Sequence, residues 1–462
     1  MRTGEVVVVG AGPAGITAAV EASRAGARVL LIDEGPAVGG QIYRQVATEL
    51  RPGSGAGGNG YAADSAPLFA SLAASGVEVW SDTEVWGIFP DRVLAIHRGG
   101  RSMRLQAGGL VLATGAYDRP VAFPGWTLPG VVTAGGTTAL IKSQRIIPGR
   151  RVLLAGTGPL LLAAAAALVR GGAEIAGIAI AASRTAFLGL LRRPAALGKA
   201  IDVLATLKRA GVPMWNGHGI VRVEGREGVE RAVVAQWDAA WRPVPGTERV
   251  IDVDTVVVGY GLMASSELAQ LAGCDVTYHA GQGGWVPVTA PDRFMATSVP
   301  GVFVAGDGAG VAGAEAGKLQ GELAGLGAAR HAGKLTDGDA AARAKAPLRD
   351  LGKMASFRRA LERMHAPEPG LFELAEDDTI VCRCEEVTAG EVRQAVGDGA
   401  RLVTEVRAAT RCGMGLCQGR LCIPTVAGLI ERYAGTLTTS VGRLTARPPV
   451  RPLPVTALAD EA

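Results

Sequence analysis

The chain has 462 residues, 48% of them apolar, with 66 glycines, 5% aromatics and a formal net charge of +4. That length exceeds one ordinary domain and predicts two or three. The small charge, with no basic stripe interleaved with aromatics, excludes a case for nucleic-acid binding. Glycine at about twice its usual share, with few aromatics, fits nucleotide-binding α/β units in which backbones approach ligands closely.

The N-terminal MRTGEVVVVG lacks the layout of a signal peptide: its apolar run is short and leads directly into a glycine loop. In EVVVVGAGPAGITAAVEASRAGARVLLIDEG (5–35), Val6 to Val9 predict a buried strand, and a helix is expected over Ile16 to Ala25. A second strand, ARVLLID, follows. Gly10, Gly12 and Gly15 between strand and helix form G-x-G-x-x-G, with Pro13 and Ala14 inside the loop. The first glycine permits a tight turn, the second admits a pyrophosphate, and the third lets helix and strand pack closely. The helix N-terminus then faces the phosphates. Asp33 closes the second strand where a ribose-binding acid belongs, with Glu34 as the adjacent alternative.

A second apolar strand ends in Ala113-Thr114-Gly115 within LVLATGAYDRPVAFPG (110–125). In TSVPGVFVAGDGAGVAGAEAGKLQGELAG (297–325), a strand over Val302 to Ala305 meets Gly306-Asp307-Gly308 before a helix. Asp307 is placed to bind a ligand hydroxyl; helix capping is its competing role. Between these segments, RRVLLAGTGPLLLAAAAALVRGGAEIAGIAIAASRT (150–185) repeats strand, glycine turn, helix and strand. Its apolar run at 158–169 is too short to span a bilayer. Gly156 and Gly158 are present, but Leu161 stands at the third glycine position and no acid ends the second strand. We therefore expect a domain that keeps the fold and binds no nicotinamide cofactor. NADP held through Ser183 and Arg184 is the competing reading.

From residue 331 the chain becomes charged and helix-prone. Leu348, Leu351, Met354, Phe357, Leu361 and Met364 form an amphipathic stripe, expected to be a packing face. Pro367, Pro369 and Gly370 end it. Beyond it lie five of the six cysteines, in VCRCEE (381–386) and TRCGMGLCQGRLC (410–422). Clustered cysteines without an export signal favour a metal or redox centre over disulfides, and a cytoplasmic location. Thr388 to Glu391 is a capping box that starts one helix. Pro424 suits the first turn of another over Ile423 to Tyr433, with Cys422 at its N-terminus. Four thiolates serve a [2Fe–2S] cluster or a structural zinc, and C-x-C is tight for zinc. Spacing leaves the choice open between Cys412–Cys417 and Cys417–Cys422, which are both C-x4-C. Cys274 reads as a small core residue. The histidines, at 97, 218, 279, 331 and 365, are scattered, and no catalytic base is apparent.

The three nucleotide segments resemble flavoproteins of the glutathione reductase-like fold. That resemblance implies FAD, with Gly10, Gly12, Pro13, Ala14 and Gly15 at the diphosphate and Asp33 or Glu34 at the adenosine ribose. It further implies Gly40 and Gln41 of Gly39-Gly40-Gln41, with Thr114, Gly115 and Gly306, near the flavin, and Asp307 at the ribityl chain. No C-x4-C or C-x2-C pair lies beside the flavin segments, so the chain is not a disulfide reductase of the glutathione or thioredoxin type. The cysteine segment resembles the [2Fe–2S] domain of bacterioferritin-associated ferredoxin.

GAGPAG, ATGAYDRP with FPGW, GYGL (259–262), CRCEEV, TRCGMGLCQGRLC and TARPPVRP (445–452) together resemble the FAD and iron–sulfur subunits of opine oxidases, hydrogen cyanide synthase and D-hydroxyproline dehydrogenase. The resemblance covers nearly the whole chain. It implies Cys382, Cys384, Cys417 and Cys422 as cluster ligands, with Cys412 the spare nearby. It also implies an electron-transferring subunit whose β-partner, a second flavoprotein, oxidises a C–N bond of an amine, imino acid or opine. A small ferredoxin-like γ-subunit is common in such assemblies.

The expected architecture is α/β, with two Rossmann-like dinucleotide-binding domains and a small, mainly helical [2Fe–2S] domain. The first domain is discontinuous, 1–141 and 263–330. The nested NAD(P)-binding-like domain spans 142–262, a helical linker 331–372, the cluster domain 373–440 and an extended Pro-rich tail 441–462.

Overall fold

The structure is a computed structural model and describes residues 2–47, 50, 62–182 and 197–459. Val6 to Val9 are apolar towards both faces, which suits only an interior strand. They end the strand Arg2–Val9, at the centre of a seven-stranded sheet. Val29–Ile32 pairs parallel on one side (Val6 opposite Val29), and Arg101–Leu112 on the other (Val7 opposite Leu110). Val302–Val304 joins the same sheet, parallel to Arg101–Leu112.

The first helix, Pro13–Arg24, begins earlier than its apolar pattern suggests because Pro13 serves its first turn. Helix Ala314–His331 packs against it at backbone distance. A Cβ on Gly321 would lie 2.1 Å from the Ala14 carbonyl oxygen, and one on Gly325 2.4 Å from that of Ala18. This contact brings Gly306-Asp307 beside the first glycine loop.

The nested domain has five parallel strands in the order Met214–Asn216, Glu174–Ile180, Arg151–Thr157, Thr255–Tyr260, Val131–Thr133. Its edge strand Val131–Thr133 lies ahead of residue 142 in the chain. An antiparallel sheet, His218–Glu224, Arg231–Gln236 and Arg249–Asp252, covers it. Leu161 is accommodated by Gly259 on the neighbouring strand, whose missing Cβ would sit 3.2 Å from Leu161 Cδ1. Ser183 and Arg184 lie outside the described residues.

The two domains are joined by an antiparallel pair, Ala116–Asp118 with Leu262–Ala264. Beside it Arg119 is buried, and its guanidinium donates to the carbonyls of Tyr260 and Gly283, both at 3.1 Å, and to that of Gln282.

The segment expected as a linker is mostly one helix, Asp337–His365, capped by Thr336, whose hydroxyl accepts the Asp339 N–H. Its stripe splits between two cores: Leu348 and Leu351 pack on the first domain, Met364 on the nested one. Leu371 and Leu374 then enter the nested core. The cluster domain follows: hairpin Ile380–Cys382 with Val387–Thr388, then helices Ala389–Gly397, Val403–Thr410 and Ile423–Ala434. The Thr388–Glu391 capping box forms reciprocally. The tail leaves this core at Val441 and returns to the first domain. Val450 is buried there, and its N–H donates to Trp86 O at 2.9 Å. Among the described residues no helix is long and apolar enough to cross a membrane.

Candidate functional site

At the carboxyl ends of the first sheet, Gly10 turns with φ +102°, and Gly15 sits where a Cβ would be 1.7 Å from Gly10 O. Gly12 differs from both: its φ is −76°, and a Cβ there would meet only Gly40 Cα, at 3.9 Å. A second loop faces it, because Gly39 donates its N–H to Ala11 O at 2.7 Å. The result is a cradle of bare backbone at a helix N-terminus, which suits a diphosphate. Pro13 opens the helix, and Ala14 abuts Gly306, where a Cβ would lie 2.7 Å from Ala14 Cβ.

The Asp33 carboxylate accepts the N–H groups of Ala11 at 2.5 Å and Gly35 at 2.8 Å. Burial pushes its pKa up against those hydrogen bonds. Asp33 thus braces the glycine loop from behind, a role its place at a strand end did not reveal. Glu34 lies at the rim, paired with Arg451 of the tail at 3.1 Å. Gln41 accepts from Arg44 at 2.8 Å. Lys142 Nζ donates to Ile42 O at 2.9 Å, and burial pulls its pKa down to about 8.

On the far side, Thr114 donates to Ser265 O at 2.7 Å, and Gly115 turns with φ +68°. Gly308 approaches so closely that its Cβ would stand 2.9 Å from Thr114 Oγ1. Asp307 Oδ1 accepts the N–H groups of Ala312 at 2.8 Å and Gly313 at 2.9 Å, which cap the entry to the following helix. The structure therefore gathers the sequence-expected residues of the first site into one crevice. Its glycine cradle and flanking carboxylates fit FAD.

In the nested domain a side chain from outside packs on the corresponding loop. His365, at the end of the long helix, lies over the glycine turn: its Nδ1 is 2.5 Å from the Thr157 hydroxyl. Its Cγ is 4.0 Å from where a Cβ of Gly158 would be. Burial pulls the His365 pKa down to about 4.

Because the folded value lies below the unfolded one, about 6.5, His365 contributes stability that is complete above pH 6.5. It is lost as pH falls towards 4, with an upper limit of about 3 kcal/mol. The apparent melting temperature is expected to drop between pH 7 and pH 5, and His365→Met to flatten that drop in a thermal-melt series. The other histidines show no catalytic grouping among the described residues; His279, for example, pairs with Glu362 at 3.1 Å.

The five clustered cysteines are all free thiols and fall into two sets. The sulfurs of Cys382, Cys412 and Cys422 are buried and lie within 4.8 Å of one another. Cys384 is exposed and Cys417 half-buried, and their thiols interact with each other. C-x-C therefore splits, one sulfur inward and one outward. Gly415 makes room for the outer one, since a Cβ there would be 2.1 Å from Cys384 Cβ.

Cys382 and Cys422 lie within hydrogen-bonding reach of each other. The hydrogen bond from Cys422, with N–H groups of Gly413, Glu385 and Cys384, holds the Cys382 thiol down to about 5. That bond, then contact with Cys412 and burial, pushes Cys422 up. Burial pushes Cys417 up, against the N–H groups of Leu421 and Gly419. N–H groups aimed at sulfur stabilise thiolate charge, and a binuclear iron centre asks for two thiolates per iron. The donor set fits a [2Fe–2S] cluster. Cys412 lies deeper than a spare thiol would be expected to.

The cluster domain is seated on both nucleotide domains. Trp126 of the FPGW motif donates its indole N–H to Ile380 O at 2.6 Å, with Arg383 stacked 5.5 Å above its ring. Arg420 pairs with Glu267 at 2.7 Å. Neither contact carries a short-range sequence signal.

The family model described as pyridine nucleotide-disulphide oxidoreductase matches residues 4–333, and that of the BFD-like [2Fe-2S] binding domain matches 380–432. The chain is 34% identical to an opine oxidase subunit of Rhizobium meliloti (strain 1021), over 100% of this chain and 99% of the relative. It is 33% identical to hydrogen cyanide synthase subunit HcnB of Pseudomonas aeruginosa, over 98% and 97%. Among solved structures, L-proline dehydrogenase from P. horikoshii shares the fold at TM-score 0.71 and 21% identity, covering 99% of this chain and 79% of that one. A glycine cradle for FAD, a thiol nest for a [2Fe–2S] cluster and full-length likeness to these subunits together show that the chain belongs to the FAD-dependent, iron–sulfur oxidoreductase family that includes these subunits of opine oxidase and hydrogen cyanide synthase.

Proposed function

We propose that this chain is the electron-transferring subunit of a heteromeric dehydrogenase or oxidase. A partner flavoprotein β-subunit would oxidise a C–N bond of an amine, imino acid or opine, and a small ferredoxin-like γ-subunit would complete the assembly. The observation that carries the reading is the glycine cradle of the first domain with a thiol nest tied to that domain through Arg420 and Glu267.

When bound, FAD accepts electrons in pairs and the cluster passes them singly. The protein's own part is positional. Gly12 and Gly40 would admit the diphosphate, Asp33 braces the loop that holds it, and Asp307 fixes the helix entry beside the flavin. Cys382, Cys384, Cys417 and Cys422 would hold the cluster, with Cys412 the spare.

Leu161 at the third glycine position and the contact of His365 with Thr157 weigh against the alternative of a self-sufficient NAD(P)H-dependent flavin reductase. Anaerobic mixing of the loaded chain with NADH or NADPH is expected to leave the flavin absorbance unbleached. Amine or opine oxidation is expected only when the β-subunit is co-expressed. Turnover of such a substrate by the isolated chain at the rate of the complex would overturn the proposal, and rapid bleaching by NADPH would move it to the reductase.

A further inference from the structure

Arg420 lies in the cysteine loop, three residues after Cys417 and two before Cys422. Its guanidinium is a three-way junction. Nε donates to Glu267 Oε1 at 2.7 Å, one Nη to the Cys417 carbonyl at 3.3 Å, and the other to Val450 O at 2.8 Å. Glu267 opens a helix two residues after Ser265, whose carbonyl accepts the Thr114 hydroxyl. Thr114 in turn abuts Gly308 of the flavin crevice. One side chain thus ties the first nucleotide site, the thiol loop and the tail together.

The pair is sheltered, with the Arg420 side chain 15% and that of Glu267 20% exposed. Screening by solvent and salt is weaker there than for a surface pair. Nearby, the Tyr117 hydroxyl has Glu267, Arg420, Arg119 and Cys417 as its charged surroundings, and burial keeps it neutral.

We propose that Arg420 and Glu267 are positioning residues that set the reduction potential of the [2Fe–2S] centre as well as seating it on the flavin domain. The inference rests on Cys417 and Cys422 being cluster ligands. Reducing such a centre adds one electron, supplied by the reduced flavin, to a group that its thiolates already make negative. A guanidinium beside it stabilises the added charge, and a carboxylate beside it opposes it. The two residues therefore act with opposite sign on the potential, although they make the same contact.

Opposite signs give a test that a clamp alone would fail. Cluster-loaded full-length chain is titrated spectroelectrochemically, read by visible absorbance and EPR. Arg420→Gln is expected to make reduction roughly tenfold less favourable, about 59 mV for a one-electron couple. Glu267→Gln is expected to raise the potential, while Arg420→Lys, which keeps the charge, stays near wild type. Glu267 lies outside the thiol loop, so its variant keeps the cluster even if Arg420→Gln does not, and the sign of its shift decides alone. Shifts of the same sign, or none, in variants with intact cluster spectra would overturn the inference. A cluster that survives Cys417→Ser and Cys422→Ser unchanged would instead overturn the ligand reading beneath it.

Discussion

Serine in place of Cys422 is expected to abolish or strongly alter the visible and EPR signals of the cluster, whereas serine in place of Cys412 is expected to preserve them. Both sulfurs are fully buried, and both lie within 4.8 Å of Cys382, so proximity does not separate them. Their settings do. Cys422 caps the helix Ile423–Ala434, where the partial positive charge favours a thiolate and an anionic cluster. Cys412 sits past the end of the helix Val403–Thr410, and its N–H is taken by Thr410 Oγ1 at 3.2 Å.

With Cys422 and Cys382 inside and Cys417 and Cys384 outside, the thiols divide two and two. Cys412→Ser leaves that division intact and costs stability instead, on the order of 1–3 kcal/mol for an unsatisfied buried hydroxyl. Iron content near two per chain, with unchanged EPR, would accompany it. Loss of the cluster in Cys412→Ser with retention in Cys417→Ser would place Cys412 in the ligand set.

Alanine at Gly12 is expected to separate folding from flavin binding. Gly10 and Gly15 cannot serve this purpose, since a Cβ at either strikes backbone at 2.3 Å or less. At Gly12 the backbone is in an ordinary extended conformation, and the added methyl meets only Gly40 Cα at 3.9 Å. The fold should hold to within about 1 kcal/mol. The methyl projects into the cradle where the diphosphate approaches, so FAD affinity should fall at least a hundredfold, about 3 kcal/mol. Fluorescence titration of the flavin-depleted variant, beside a thermal melt, measures both. Undiminished FAD affinity would show that the dinucleotide does not cross the loop at Gly12.

Much of this layout is legible in the sequence because its signals are local. Gly10, Gly12 and Gly15 announce a turn between strand and helix through backbone sterics alone, and Thr388 with Glu391 announces a helix start through two reciprocal hydrogen bonds. The contacts that assemble the molecule are not local. Arg420 meets Glu267 across 153 residues and Trp126 meets Ile380 across 254, and nothing in their own neighbourhoods marks them.

Leu161 is legible as a departure, but its remedy, Gly259, lies on another strand far along the chain. Asp33 reads as a ligand for ribose from its place at a strand end. Its brace on Ala11 depends on how the loop folds back, which strand periodicity does not encode. The apolar stripe from Leu348 to Met364 announces a packing face; that the face serves two domains follows only from the helix's length.

That helix is continuous from one nucleotide domain to the other, with Pro347 inside it. Its 29 residues span about 44 Å at 1.5 Å per residue, with one end fixed in the first core and the other in the nested one. A helix held in both cores opposes a turn of one nucleotide domain against the other. With the domains so held, the rate of electron transfer is expected to be set by fixed separation, and a viscosity series should leave it unchanged.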